Sequence, residues 1–334
     1  MKAVGYTKSL PLTESNALED IELPMPKVGN NDLLVRVEAV SVNPVDAKVR
    51  MRKEPESGHA VLGFDAVGVV EETGGGVTGF VKGDKVFYAG DITRPGTNAQ
   101  YHAVDARLVG RAPKSLSATE AASLPLTSIT AWEMLFDCFK LKEGDGEGDA
   151  ILVIGGAGGV GSILIQLVKA LTGLRVIATA SRPDTREWCL EMGADEVVDH
   201  TRPLDEEMAR LGIQPKYVAA LTRTADHFDS IVALLKPRGE VCVIDDPGTL
   251  DVVKMKQKAL SFHWEFMFTR SMFQTEDQKV QSDLLCRVAE LVDQGRIKPT
   301  VKRVLPAMNA ATLKEAHGIQ ESGTAIGKTV LPVE

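Results

Sequence analysis

The sequence predicts an α/β protein of two domains: a small β-barrel or sandwich, and a doubly wound parallel sheet covered by helices on both faces. Three observations carry this reading. Roughly the first 125 residues hold short extended segments separated by glycine turns. From about residue 117, strand and helix patterns alternate, with continuous apolar strands. From about residue 300 the pattern turns extended again, so the tail is expected to return to the first domain. The resulting division is 1–126 with 300–334, and 127–299.

The elements follow in order. "LLVRVEAVSVN" (33–43) places valines at 35, 37, 40 and 42, near the period of a strand. "AVGVVEETGGGVTGFVKGDKVFYAG" reads as strand, glycine turn, strand, with Lys82-Gly83-Asp84 as a further turn, and "NAQYHAVDARLVGRAP" as two more short strands. Ser117 followed by Glu120 is a helix-capping pattern. Beyond it, strands are expected at 151–154, 174–179, 196–199, 217–221 and 240–245. "SILIQLVKAL" is amphipathic, with Ile163, Leu164, Leu167, Val168 and Leu171 on one face. "EMGADEVV" and "LLKPRGEVCVI" put glycine where a helix stops and a strand begins.

Composition narrows the function. The chain has 334 residues, 44% of them hydrophobic and 25% charged, which suits a globular protein of about two domains. A net charge of -8 argues against a nucleic-acid or anionic-membrane surface, since both need a positive field. No apolar run reaches membrane-spanning length, and the N-terminus lacks a signal-like apolar core, so a cytoplasmic protein is expected. Cys138, Cys189, Cys242 and Cys286 are widely spaced and read as reduced thiols, neither a disulfide framework nor a zinc site.

The stretch "ILVIGGAGGVGS" (151–162) carries the chemistry. Gly156, Gly158 and Gly161 fit G-x-G-x-x-G, and the motif sits where it must, between an apolar strand and an amphipathic helix. Gly156 is expected to permit the turn, Gly158 to admit a pyrophosphate, and Gly161 to let helix and strand pack closely. The amides of Ala157, Gly159 and Val160 complete a loop at a helix N-terminus, which favours an anion. An NAD site usually places an acid about 20 residues on, at the end of the second strand. Here "VIATASRPDTR" places Ser181 and Arg182 there, with Arg186 one turn further and Asp184 read as a helix cap. A hydroxyl and guanidinium groups suit a 2′-phosphate, so NADPH is expected over NADH.

Several segments resemble the medium-chain dehydrogenase/reductase superfamily: "SVNPVD", "LGFDAVG", "LPLTSITAWEML", "GGAGGVG" and the terminal "GKTVL". The likeness covers nearly the whole chain. Within the superfamily it points to the quinone-oxidoreductase branch, where "WEFMFTRSMFQT" and "LVDQGRIKPT" resemble zinc-type alcohol dehydrogenase-like members. The resemblance implies a GroES-like β-domain, completed by the C-terminal tail, and a Rossmann domain. It places Asn43 and Thr127 near the nicotinamide as catalytic residues. Leu221 and Thr222 fall at the cofactor ribose, Ile244, Asp245 and Asp246 beside the nicotinamide, His200 at the adenosine end, and Lys328 in the same cleft. Phe64, Phe266 and Phe268 are implied as walls of the substrate pocket.

Zinc is where the resemblance and the residues part. The zinc-dependent members' cysteine position falls in "VNPVD", and their His-Glu pair is replaced by Phe64-Asp65. Phenylalanine cannot bind zinc, the first domain has no cysteine for a structural site, and His59 and His102 lack ligand spacing. The expectation is therefore zinc-independent hydride transfer from nicotinamide C4 to a quinone or other conjugated carbonyl. The alternatives are an alkenal or enone double-bond reductase, and an NADPH-binding structural or regulatory protein of low turnover. Arg50, Arg52 and Lys53 read as a solvated charged loop. A homodimer paired through the Rossmann sheet edge is the expected assembly.

Overall fold

The long valine-rich segment shows how this sequence builds its first layer. Strand β3 (Asp32–Val42) follows β1 (Lys2–Tyr6) and β2 (Glu19–Glu22) in the computed structural model, which describes all 334 residues. Val35 and Val37 stand at odd positions, Val40 and Val42 at even ones, yet all four are buried in one core. A pairing irregularity between Val37 and Ala39 makes this possible, because one extra residue in a strand reverses which face the next side chains meet.

The remaining elements of this half are α1 (Pro44–Arg52), β4 (Ala60–Val61), β5 (Ala66–Thr73), β6 (Lys85–Tyr88), β7 (Tyr101–Asp105), β8 (Val109–Arg111) and α2 (Ala118–Ala121). Ser117 caps α2 in a capping box with Glu120, as its spacing requires. Helix α3 (Pro125–Trp132) carries the chain onward into the alternating part.

That part contains β9 (Ala150–Ile154), α4 (Gly159–Leu171), β10 (Arg175–Thr179), α5 (Pro183–Glu191), β11 (Glu196–Val198), α6 (Leu204–Arg210), β12 (Tyr217–Ala220), α7 (Thr224–Leu234), β13 (Glu240–Val243) and β14 (Ser261–Trp264). All pairs are parallel, in the order β11-β10-β9-β12-β13-β14. This is the doubly wound dinucleotide-binding order, which reverses between β9 and β12. Five of the six strands coincide with expected segments, and β14 is additional. Helix α4 differs from the one-face reading: every residue from Gly161 to Val168 is buried, so it lies inside the unit.

The chain ends with α8 (Thr269–Met272), α9 (Lys279–Asp293), β15 (Val301–Val304), α10 (Ala310–Glu321) and β16 (Lys328–Pro332). Strand β16 pairs antiparallel with β3, inside the sheet β15-β16-β3-β5-β6-β8, and β7 also pairs with β3. The tail thus completes the first unit. The two compact units are Met1–Ile129 with Phe268–Glu334, and Thr130–Met267. Residues 268–299 therefore leave the division expected from sequence. Helix α9 buries Leu284, Leu285, Val288 and Leu291, and Ser282 Oγ donates to the Val109 carbonyl at 2.6 Å, which ties it to β8. Its amphipathic pattern fits a sheet of either unit, so the sequence alone did not separate the two.

Candidate functional site

In the second unit, the glycine loop lies at the reversal of strand order, the usual ligand crevice of such sheets. Its turn differs in detail from the sequence reading. The left-handed residue is Gly155, with φ +86°, not Gly156. Gly156 is constrained by packing instead: a Cβ there would lie 2.8 Å from Ala178 Cβ and 3.0 Å from Cys189 Sγ. At Gly161 a Cβ would meet the carbonyl oxygens of Gly155 and Gly156, each at 2.5 Å, so the helix closes directly on the loop. At Gly158 it would meet only Gly155 O, at 3.5 Å, which leaves this backbone open to an approaching group. Gly158 caps α4, whose first amides, from Gly159, Val160 and Gly161, have no intrahelical acceptor by construction. Gly155 N donates to Thr179 Oγ1 at 3.0 Å, Ser162 Oγ to Gly158 O at 2.7 Å, and Trp188 Nε1 to Ser162 Oγ at 2.8 Å, so the loop is held from behind.

Cations collect beside this loop. Arg182 and Ser181 follow β10, and His200 follows β11. Burial holds the His200 imidazole below its ordinary pKa; Asp199 opposes this, while Arg223 and Arg182 push the same way. His227 is likewise lowered, by burial first and then by His200 and Arg223. Arg223, which sequence reading passed over, therefore joins Arg182 and His200. It sits in the left-handed region, φ +52°, and pairs with Asp226 at 2.8 Å. Its signal was a cation one residue past Thr222, at a strand's carboxyl end.

Two of the expected cofactor residues are committed elsewhere. Arg186 donates Nη1 to the Ala180 carbonyl at 3.2 Å and Nη2 to that of Val197 at 2.8 Å, so it joins the ends of β10 and β11 rather than facing a phosphate. Asp245 accepts from Thr224 N at 2.9 Å and Thr224 Oγ1 at 2.5 Å, capping α7. Asp184 lies in the first turn of α5, where it accepts from Thr185 N at 2.8 Å, while Arg182 holds the N-cap position. Leu221 and Ile244 are half-buried at their strand ends, Thr222 is exposed, and Phe266 is half-exposed.

In the first unit, the other named residues converge on Asp65. This carboxylate accepts from Ser41 Oγ at 2.7 Å, Asn43 Nδ2 at 2.8 Å, Leu126 N at 2.7 Å and Lys328 Nζ at 3.0 Å. Lys328 also donates to Asn43 Oδ1 and, at 3.2 Å, to Val42 O. Its three ammonium hydrogens are thereby used and it is 2% exposed, so it is not a cofactor ligand. Asn43 is 1% exposed, with both ends of its amide in this network. Asp46 accepts from Asn43 N at 2.7 Å and Gly63 N at 3.0 Å, and burial pushes its carboxyl up to about 7. Thr127 is buried, and its hydroxyl bonds back to Leu124 O at 3.1 Å, a helical side-chain contact. Phe64 and Phe268 are both buried and meet edge to face, with ring centroids 5.2 Å apart. Arg50 is not solvated: it is fully buried, bonded to Leu10 O and Glu321.

Residues 29–114 match the alcohol dehydrogenase GroES-like domain family and residues 192–331 the zinc-binding dehydrogenase family. The zinc-type alcohol dehydrogenase-like protein of Staphylococcus epidermidis is 40% identical over 99% of each chain. The chain is a medium-chain dehydrogenase/reductase.

Among solved structures, this dehydrogenase/reductase is similar to one from Rhizobium etli assigned by name to the zinc-dependent alcohol dehydrogenases (52% identity, covering 100% and 98% of the two chains, TM-score 0.96). It is also similar to the quinone oxidoreductase of Coxiella burnetii (26% identity, 100% and 99%, TM-score 0.81). It is an oxidoreductase with the GroES-like and parallel-sheet domains of the superfamily.

Zinc, implied by several of these names, does not fit the residues present. The position of the ligating histidine is Phe64, the acid beside it is neutralised by Lys328, and no group of three or more His, Cys, Asp or Glu side chains is placed to hold a metal. His59 faces Glu19 at 3.4 Å, and His102 stacks on Tyr88 with its pKa pulled down to about 4 by burial. No helix is long and apolar enough to cross a membrane.

Proposed function

We propose that this oxidoreductase reduces quinones or similarly activated conjugated carbonyls with NADPH and without zinc. The observation that carries the reading is the Asp65 network, in which a lysine ammonium occupies the acid that metal-dependent relatives keep beside a ligand. Without a Lewis acid, an unconjugated alcohol or ketone is a poor substrate, whereas a conjugated acceptor spreads the developing charge itself. When bound, the reduced nicotinamide supplies the hydride. The chain's own residues do the rest. The loop amides of Gly158–Gly161 meet the pyrophosphate, and Ser181, Arg182, Arg223 and His200 form a cationic, hydrogen-bonding end that favours a 2′-phosphate over a free hydroxyl. Asn43 and Thr127 hold the first unit's buried framework, and the product's proton comes from water.

We infer a homodimer as well. Strand β14 leaves one edge of the sheet unpaired and carries Trp264, 59% exposed. A reducing cytoplasm suits its four free thiols.

The test compares acceptors. Chelator-treated protein with NADPH is given a simple quinone, a 2-alkenal and a saturated aldehyde. The reading expects turnover with the quinone and little with the saturated aldehyde. Preference for the alkenal moves the assignment to double-bond reduction, and absence of turnover with all three contradicts it.

A further inference from the structure

Two thiols that the proposed reaction does not use stand side by side in the second unit. Cys138 ends the π-helical turn Glu133–Cys138, and Cys242 lies in the middle of β13. Cys242 is fully buried, while Cys138 is partly exposed. The Cys138 thiol reaches the Trp264 carbonyl on β14 at 3.8 Å, and β14 sets His263 and Trp264 against Cys242 and Val243. Phe139, next to Cys138, meets the rings of Tyr217 and His263 at 5.0 and 6.1 Å, and His263 is the β14 partner of Cys242, so the turn lies over the part of the sheet that carries Cys242. Both thiols are reduced.

We propose that Cys138 and Cys242 are an oxidant-sensitive dithiol that closes to an intramolecular disulfide. The proposal is independent of the proposed activity. With a small disulfide as oxidant, the Cys138 thiolate attacks one sulfur and releases one thiol. Cys242 then loses its proton, attacks the mixed disulfide at Cys138 and releases the second thiol. Two protein thiols are oxidised and one disulfide is reduced to two thiols. With a hydroperoxide, Cys138 takes one oxygen to become a sulfenic acid, and Cys242 displaces it as water. The order follows from exposure: Cys138 is the sulfur an oxidant reaches, and Cys242 resolves. The contact with Cys138, followed by burial, drives the Cys242 pKa upward, so it stays a thiol until its neighbour is oxidised.

The other cysteines lack this arrangement. Cys286 has no second cysteine in its own unit, and Cys189 is buried against Gly156 with its thiol pushed up to about 12. The bond would tether β13 immediately before Ile244, at the strand end where the dinucleotide crevice opens.

The experiment exposes the full-length protein to oxidised glutathione and, separately, to hydrogen peroxide. Free thiols are counted and the alkylated, unreduced digest is mapped by mass spectrometry. The expected result is loss of two thiols per chain, a linked Cys138–Cys242 peptide, reversal by dithiothreitol, and a raised unfolding midpoint in the oxidised form. Cys138→Ser abolishes the link and the shift, and Cys286→Ser keeps both. Cys242→Ala stops Cys138 at the glutathione adduct. A wild-type Cys138 that ends as a glutathione adduct or a sulfinic acid, a link between two chains, or no loss of thiols overturns the proposal.

Discussion

Lys328 Nζ lies 3.0 Å from Asp65 Oδ2, with the two side chains 3% and 0% exposed, and the pair joins β16, from the end of the chain, to the loop before β5. A buried ion pair of this kind offsets its own desolvation only while both partners remain. Lys328→Met strands a buried carboxylate and is expected to cost about 3–5 kcal/mol. Adding Asp65→Asn removes that charge, so the double variant is expected to recover part of the loss. Urea unfolding of the two singles and the double closes the cycle. Equal, additive losses would show that the two groups do not act as a pair.

The cofactor end separates binding cations from structural ones. Arg182→Ala and Arg223→Ala are each expected to weaken NADPH binding by roughly tenfold, the worth of one charge-assisted hydrogen bond, and to leave NADH nearly unchanged. Arg186→Ala is expected to lower the unfolding midpoint, because two strand-end carbonyls lose their donor, and to leave the NADPH-to-NADH ratio alone. Titration of intrinsic fluorescence with each dinucleotide reads the ratio.

The glycines divide in the same way. Gly161→Ala puts a methyl 2.5 Å from two carbonyl oxygens and is expected to cost about 1–3 kcal/mol of stability. Gly158→Ala has room in the fold and is expected to change stability by less than about 1 kcal/mol while weakening either dinucleotide. Comparable stability losses in both would contradict the open backbone assigned to Gly158.

Acid stability follows from buried groups in the first unit. Burial, reinforced by Arg50, holds His317 down to about 3, against 6.5 in the unfolded chain. Below pH 6.5 the unfolded state takes a proton that the native imidazole refuses, so this residue's penalty grows as pH falls and levels off near pH 3. Asp46 works the other way. Its native carboxyl, near 7 against 3.8 unfolded, takes the proton first, so it favours the fold as pH falls from 7 to 3.8. His317→Leu is expected to flatten the loss of stability between pH 6 and 4 by about 1.4 kcal/mol per pH unit, and Asp46→Asn to steepen it. Parallel stability profiles for wild type and His317→Leu would rule out this coupling.

Much of the fold was legible because it rests on local patterns. Apolar runs between glycine turns marked five of six parallel strands, and Ser117 with Glu120 marked a cap. What stayed hidden depends on distant partners. Gly155 and Gly156 are indistinguishable as letters, and only Ala178 and Cys189, brought in by β10 and α5, show which is packed and which turns. Arg186 read as a phosphate ligand and Arg50 as solvated until carbonyls and a carboxylate from other segments are found to hold them. Lys328 read as a cleft residue because nothing near it in sequence announces Asp65. The glycine loop was visible in sequence because its chemistry is backbone chemistry; the Asp65 network was not, because it is assembled from four separate segments.

The central claim is NADPH-driven reduction without a metal, and one initial-rate measurement tests it most directly. Protein dialysed against chelator is given a simple quinone with NADPH or NADH, before and after zinc is restored. The account expects quinone-dependent oxidation of NADPH, a clear preference over NADH, and no gain on adding zinc. Activity that appears only with zinc, or equal rates with the two cofactors, would contradict it.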